Sequence, residues 1–183
     1  RIGAHRRYPA FDGPFERFIY MDADTILMSP LDGIFQQLNQ NDWVIYDFQY
    51  KDLSHVYDIS SPKLEELFTR EYINNRIFCS GFYGSKKGIF QQENIDWFLE
   101  KLREGESEIL YIWAADQPIL NYMVMRLNLK VNNLAISLSP NERTGNSVTS
   151  KHFAEQDYIL YDHGKRLTYC LLYTSPSPRD EQS

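Results

Sequence analysis

At 183 residues with 43% hydrophobic content, the chain is long enough for one α/β domain with a sizeable core, and its composition excludes disorder over most of its length. A net charge of −6 with no long basic run excludes the polyanion contact of a nucleic-acid binder, and no apolar stretch approaches the roughly 20 residues that span a bilayer. Two cysteines exclude a disulfide framework and favour a reducing, cytoplasmic compartment.

Residues 1 to 10 read as the end of a basic helix, and Asp12-Gly13-Pro14 marks a turn. A buried strand follows from about Arg17 to Met21. After an acidic loop, Ser29 offers a cap and Pro30 a first helical position for a short helix carrying Ile34, Phe35 and Leu38. Trp43 to Tyr46 reads as a second buried strand. Residues 47 to 61 are irregular and aromatic, and Ser60-Ser61-Pro62 opens a helix through about Arg70. Ile77 to Tyr83 reads as a strand interrupted by Gly81, a residue that in a strand marks close approach of a ligand or backbone. Ile95, Phe98, Leu99 and Leu102 recur at three and four residues, predicting an amphipathic helix over Phe90 to Leu102. A second helix runs from near Asp116 to Arg126, residues 129 to 138 form a strand, and Asn141 to Ser150 form a polar loop.

The chain starts at Arg1 without Met and inside a helix, so a preceding segment is expected. At the other end, residues 170 to 183 resemble the translated read-through of a sequencing adapter, the alternative being a genuine Pro/Ser-rich tail. This leaves one partial domain over residues 1 to 169.

The densest chemical signal is Phe18-Ile19-Tyr20-Met21-Asp22-Ala23-Asp24-Thr25. A continuous apolar run reads as a strand buried on both faces, hence a parallel one, with Asp22 and Asp24 at its carboxyl end, where open α/β sheets bind ligands. Two carboxylates one residue apart repel unless a cation bridges them, and hard oxygen donors suit Mg²⁺ or Mn²⁺ holding a diphosphate. Asp116-Gln117-Pro118 begins a helix, so Asp116 is either an N-cap or a site carboxylate beside Gln117, whose amide can orient a sugar hydroxyl. Cys79 reads more readily as an inert core thiol than as a nucleophile. His5, His55, His152 and His163 show no metal-ligand spacing.

With Asp22-Ala23-Asp24, Cys79-Ser80-Gly81 and Asp116-Gln117-Pro118-Ile119-Leu120-Asn121 in that order, the chain resembles glycosyltransferases of the GT-A fold, and among them the family 8 type. It is also similar to a cyanobacterial group of sugar transferases through Asp47 to Asp52 and Gly145 to Ser150. The resemblance implies a Rossmann-like, mainly parallel sheet flanked by helices, incomplete at both ends here. It implies Asp22 and Asp24 as ligands of a Mn²⁺ or Mg²⁺ ion on the donor diphosphate, with Asp22 also near the ribose. Asp116 and Gln117 would border the transferred sugar as catalytic residues, Cys79, Ser80 and Gly81 would line the donor, and Arg1 would reach it from the preceding helix. The implied activity is transfer of a sugar from a nucleotide-diphosphate donor to an unknown acceptor, with retention of configuration. Two departures stand out: Cys79 replaces the Asn of the family's Asn-x-Gly, and no residue matches the family's carboxyl-terminal His ligand.

Two other readings stay open. An apolar strand followed by Asp-x-Asp-x-Thr also describes the first motif of the haloacid dehalogenase superfamily, with Asp22 as phosphoryl nucleophile, Asp24 as general acid/base and Lys86 or Lys87 as the downstream lysine. The third is a non-catalytic fragment that binds a nucleotide sugar.

Overall fold

The computed structural model describes residues 4–48, 50–114, 116–144 and 153–171. It is a mixed α/β structure. Along the chain, a 3₁₀ helix (Ala4–Asp12) leads to β1 (Arg17–Met21), β2 (Thr25–Leu27), α1 (Asp32–Gln37) and β3 (Trp43–Ile45). Then come α2 (Pro62–Leu67), α3 (Arg70–Arg76), β4 (Phe82–Lys86), α4 (Gln92–Arg103), α5 (Gln117–Arg126), β5 (Val131–Asn133) and α6 (Leu134–Ser137). The last elements are β6 (Phe153–Gln156), β7 (Ile159–Asp162), β8 (Lys165–Arg166) and β9 (Tyr169–Leu171).

The central sheet has the order β1-β4-β3-β5. It corrects the expectation of a mainly parallel sheet: β4 runs antiparallel to both β1 and β3, and only β3 and β5 are parallel. β1, expected as a buried strand, is a half-buried edge strand whose apolar side chains touch a core on each face, and such contact does not specify strand direction. Phe18 and Tyr20 pack into one core with Trp43, Ile45 and Tyr83, roofed by residues of α2 to α5. Ile19 and Met21 face a second core with Val44, Phe82, Ile34 and Leu38, beneath α1 and α6. The period of two along β1, β3 and β4 therefore sorts side chains between two cores. In the first, Trp43 and Tyr83 stack with ring centroids 4.4 Å apart and Phe11 stacks on both, each such pair adding about 0.5–1.5 kcal/mol beyond burial. Gly84 lets α1 approach, since a Cβ there would lie 3.3 Å from Leu38 Cδ1 and 3.4 Å from Ile34 Cγ2.

Several boundaries move. Leu31, not Ser29, stands at the N-cap of α1, and Ser29 Oγ instead donates to the Leu167 carbonyl at 2.7 Å. The helix expected through Arg70 ends at Leu67, and Thr69 caps a new one by accepting from Tyr72 N–H at 3.2 Å. Of the strand expected over 129 to 138, Val131–Asn133 is extended and Leu134–Ser137 is helical. The acidic loop after Asp24 contains β2, which pairs with β9; Cys170 and Leu171, at the start of the segment read as a tail, lie opposite Ile26 and Thr25. No helix among the described residues is long and apolar enough to cross a membrane.

Candidate functional site

Because β1, β3 and β5 point one way and β4 the other, one end of the sheet gathers the exits of the first three and the entry of β4. Asp22 follows β1, Asp47 lies two residues past β3, Asn133 ends β5, and Cys79-Ser80-Gly81 leads into β4. The expected strand over 77 to 83 begins only at Phe82. Its missing ladder bonds are replaced by side chains. Asn121 Oδ1 accepts from Phe78 N–H at 3.0 Å while its Nδ2 donates to the Phe78 carbonyl at 2.9 Å. Asp47 Oδ2 accepts from Cys79 N–H at 2.9 Å, and Gln117 Oε1 accepts from Ser80 N–H at 2.8 Å. Asp47 is in turn clasped by Asn133, whose Oδ1 accepts from Asp47 N–H and whose Nδ2 donates to its carbonyl.

Arg7 joins these parts. Its guanidinium donates to the Ser80 carbonyl at 2.6 Å and to Asp22 Oδ1 at 3.4 Å, and its Nε lies 2.6 Å from Asp116 Oδ2. That last contact is an ion pair rather than an aligned hydrogen bond, as neither atom gains a hydrogen-bond partner through it. The Arg7 and Asp116 side chains are 6% and 5% exposed, so the pair is a buried one. The guanidinium also sits over the Tyr20 ring, 4.4 Å from its centroid. Asp116 occupies the N-cap position of α5 without capping it; its carboxylate turns to Arg7 instead.

Asp22 is fixed on several sides. Its N–H donates to the Gly81 carbonyl at 2.9 Å, and its Oδ1 accepts from Tyr20 Oη at 2.8 Å. A Cβ at Gly81 would stand 3.0 Å from Asp22 Oδ2, so the close approach that Gly81 permits is that of this carboxylate. Burial, then the hydrogen bond to Asp22, pushes the Tyr20 phenol up to about 12 against the lowering pull of Arg7. Burial and then Asp116 do the same for Tyr8, also to about 12. Both phenols are therefore donors at neutral pH. Burial likewise pushes the Cys79 thiol up, which disfavours the thiolate.

The structure thus brings together Asp22, Ser80, Gly81, Asp116 and Gln117, with Cys79 alongside. Asp24 is exposed at the turn closed by Thr25 N–H on the Asp22 carbonyl, and has no side-chain partner among the described residues. Gln117, expected to face a sugar, has its amide oxygen on Ser80 N–H and its amide nitrogen 3.4 Å from the His55 carbonyl; each atom retains one further bonding position. Arg1, Gln49 and Gly145 to Ser150 lie outside the described residues. Asp22, Asp24, Asp47 and Asp116 against Arg7 leave an excess of three formal negative charges. Among the described residues no three His, Cys, Asp or Glu side chains form a metal cage, so any ion here would take much of its shell from a ligand and water.

Arg7 and Asp47 were missed in the sequence. Asp47 carries the signal that singled out Asp22, a carboxylate just past a buried apolar run, and Asn121 lies one helical turn from Gln117 on the same face. An apolar groove of about 830 Å³ lies elsewhere, lined by Phe11, Phe90, Phe98, Leu99, Ile119 and Met123, and none of the site carboxylates borders it. No family model, curated protein or solved structure matches the chain.

Proposed function

We propose that the chain carries the donor site of a metal-dependent glycosyltransferase of the GT-A type, which moves a sugar from a nucleotide-diphosphate donor to an acceptor with retention of configuration. The supporting observation is the pairing of one buried guanidinium with Asp22, from a strand exit, and Asp116, from a helix start, beside a glycine whose missing side chain makes room for the Asp22 carboxylate.

Sugar transfer develops positive charge at the anomeric carbon and negative charge on the departing diphosphate, and preorganised groups facing those charges contribute most to catalysis. Asp22 and Asp24 supply two hard oxygen donors, which fits a Mn²⁺ or Mg²⁺ ion completed by diphosphate and water. When bound, that ion supplies Lewis-acid neutralisation of the leaving group. Arg7 holds Asp22 and Asp116 in place on either side of its guanidinium. Asp116, buried against Arg7, acts on the developing positive charge through space rather than by contact with the sugar. Gln117 fixes the Ser80 backbone and offers its remaining amide positions to sugar hydroxyls.

The phosphatase reading is weakened by its lysines. Lys86 lies opposite Arg17 at the far end of the β1–β4 ladder and pairs with Asp42 at 3.1 Å, and Lys87 N–H donates to the Glu16 carbonyl. Neither stands at the Asp22 end. Calorimetry of the chain with Mn²⁺ and nucleoside diphosphates tests the proposal: binding is expected to require the metal. Asp24→Asn should weaken it by more than the roughly tenfold that even an outer-shell partner contributes, with folding stability unchanged. A hydroxylamine-sensitive aspartyl-phosphate trapped at Asp22, without nucleotide-sugar turnover, would overturn the proposal in favour of phosphoryl transfer.

A further inference from the structure

The segment entering α5 is anchored at its base. Asp58 N–H donates to the Ile109 carbonyl at 2.8 Å, Tyr57 and Leu110 form an antiparallel bridge, and Tyr111 N–H donates to the Val56 carbonyl at 3.2 Å. The chain then turns, with Ala114 N–H on the Tyr111 carbonyl at 3.4 Å, and Gln117 N–H returns to the Ala114 carbonyl at 3.3 Å. Ile112 and Trp113 occupy the apex of that turn, 78% and 73% exposed. Single exposed apolar residues are ordinary. Two large ones side by side on an anchored turn are not accounted for by folding, since neither packs into a core. Their position matters as well: Asp116 is three residues from Trp113, no more than about 11 Å of chain.

Resting on the donor-site reading above, we propose that Ile112 and Trp113 form the acceptor subsite and take a neutral sugar by its apolar C–H face. An indole face carries negative potential and attracts the partly positive C–H groups of a pyranose. The turn residues Tyr111 to Ala114 bring no charge of their own. The negative excess of Asp22, Asp24, Asp47 and Asp116 over Arg7 repels an anionic acceptor. A neutral ring lying on Trp113 keeps its rim hydroxyls free for the transfer site.

The three tryptophans make the test direct, because Trp43 is fully buried, Trp97 is half-buried and Trp113 is exposed. The chain with ¹⁵N-labelled indoles is titrated with the methyl glycosides of glucose, galactose, mannose and N-acetylglucosamine, and nucleoside diphosphate binding with Mn²⁺ is measured on the same samples. One of these glycosides is expected to shift the Trp113 indole signal and leave Trp43 unmoved. Trp113→Ala should weaken that glycoside about tenfold, Trp113→Phe less, and neither should change nucleoside diphosphate affinity. If the nucleotide binds but no glycoside moves Trp113, the acceptor subsite is wrong and the donor site stands. If the wild-type chain binds no nucleoside diphosphate, the reading beneath it fails instead.

Discussion

The two ends of the central sheet each carry an acid–base pair, and they differ in what surrounds it. At the end where β1 and β3 begin, Lys86 and Asp42 meet at 3.1 Å with side chains 33% and 39% exposed, and Arg17 donates to Asn39 at the surface nearby. At the end where those strands finish, Arg7 and Asp116 meet at 2.6 Å almost out of contact with solvent, and the same guanidinium holds a carbonyl and a second carboxylate. A surface pair contributes little because water screens it and serves either partner as well. A buried pair is costly to assemble and costlier to break. The molecule keeps one where Asp22, Ser80 and Asp116 meet, and a fold needing only stability could have filled that space with apolar side chains.

The sharpest way to break this comparison is Arg7→Met. It leaves Asp116 buried without a counter-charge and should cost about 3–5 kcal/mol by chemical denaturation. Adding Asp116→Asn to that variant should recover part of the loss, since the stranded charge is then gone. Arg7→Lys keeps the charge but not the planar fork, so it should restore less than the wild type has. A loss below about 1 kcal/mol in Arg7→Met would mean that the two ends of the sheet do not differ in kind.

How much of this was legible in the sequence follows from the range of the interactions. The bounds of β1 and the emergence of Asp22 from it were legible because a short apolar run ended by acids is a local pattern. The direction of β4 was not, because an apolar run says nothing about the neighbour's sense. Phe78 to Gly81 has strand-like composition, yet its backbone groups are met by Asn121, Asp47 and Gln117, up to 43 residues away. Arg7 is one of three arginines in the first seven residues, and only the turn of the Ala4–Asp12 helix against Tyr20 and Asp116 selects it. The pairing of β2 with β9 rests on partners more than 140 positions apart, as Thr25 with Leu171.

Gln117→Ala probes the same end of the sheet with a neutral group. It removes the acceptor of Ser80 N–H and one contact to the His55 carbonyl, and stranding a backbone donor costs about 1–3 kcal/mol. Stability should fall in this variant because the residue positions backbone, and on the proposed function sugar transfer should fall with it. Amide hydrogen exchange separates the two effects: the Ser80 amide should lose protection while Val44, in the middle of the sheet, keeps it. Unchanged protection at Ser80 would return Gln117 to a purely substrate-facing role.

The smallest effect belongs to the surface pair. Burial works to raise the Asp42 carboxyl, but the Lys130 amide and the Lys86 ammonium outweigh it and hold the group below its ordinary value of 3.8. A carboxyl lowered in the folded state binds its proton less readily than in the unfolded chain. Its contribution to stability is therefore fully present above pH 3.8 and is lost as pH falls through the folded value. Lys86→Met removes the ammonium and leaves the Lys130 amide, so the Asp42 carboxyl should move back toward its ordinary value and the acid-side loss should shrink. At neutral pH the cost should stay within about 1 kcal/mol. Urea denaturation of wild type and Lys86→Met at neutral pH and near pH 3 measures both quantities. Should Lys86→Met cost as much at neutral pH as Arg7→Met does, solvent exposure would not be what separates the two ends of the sheet.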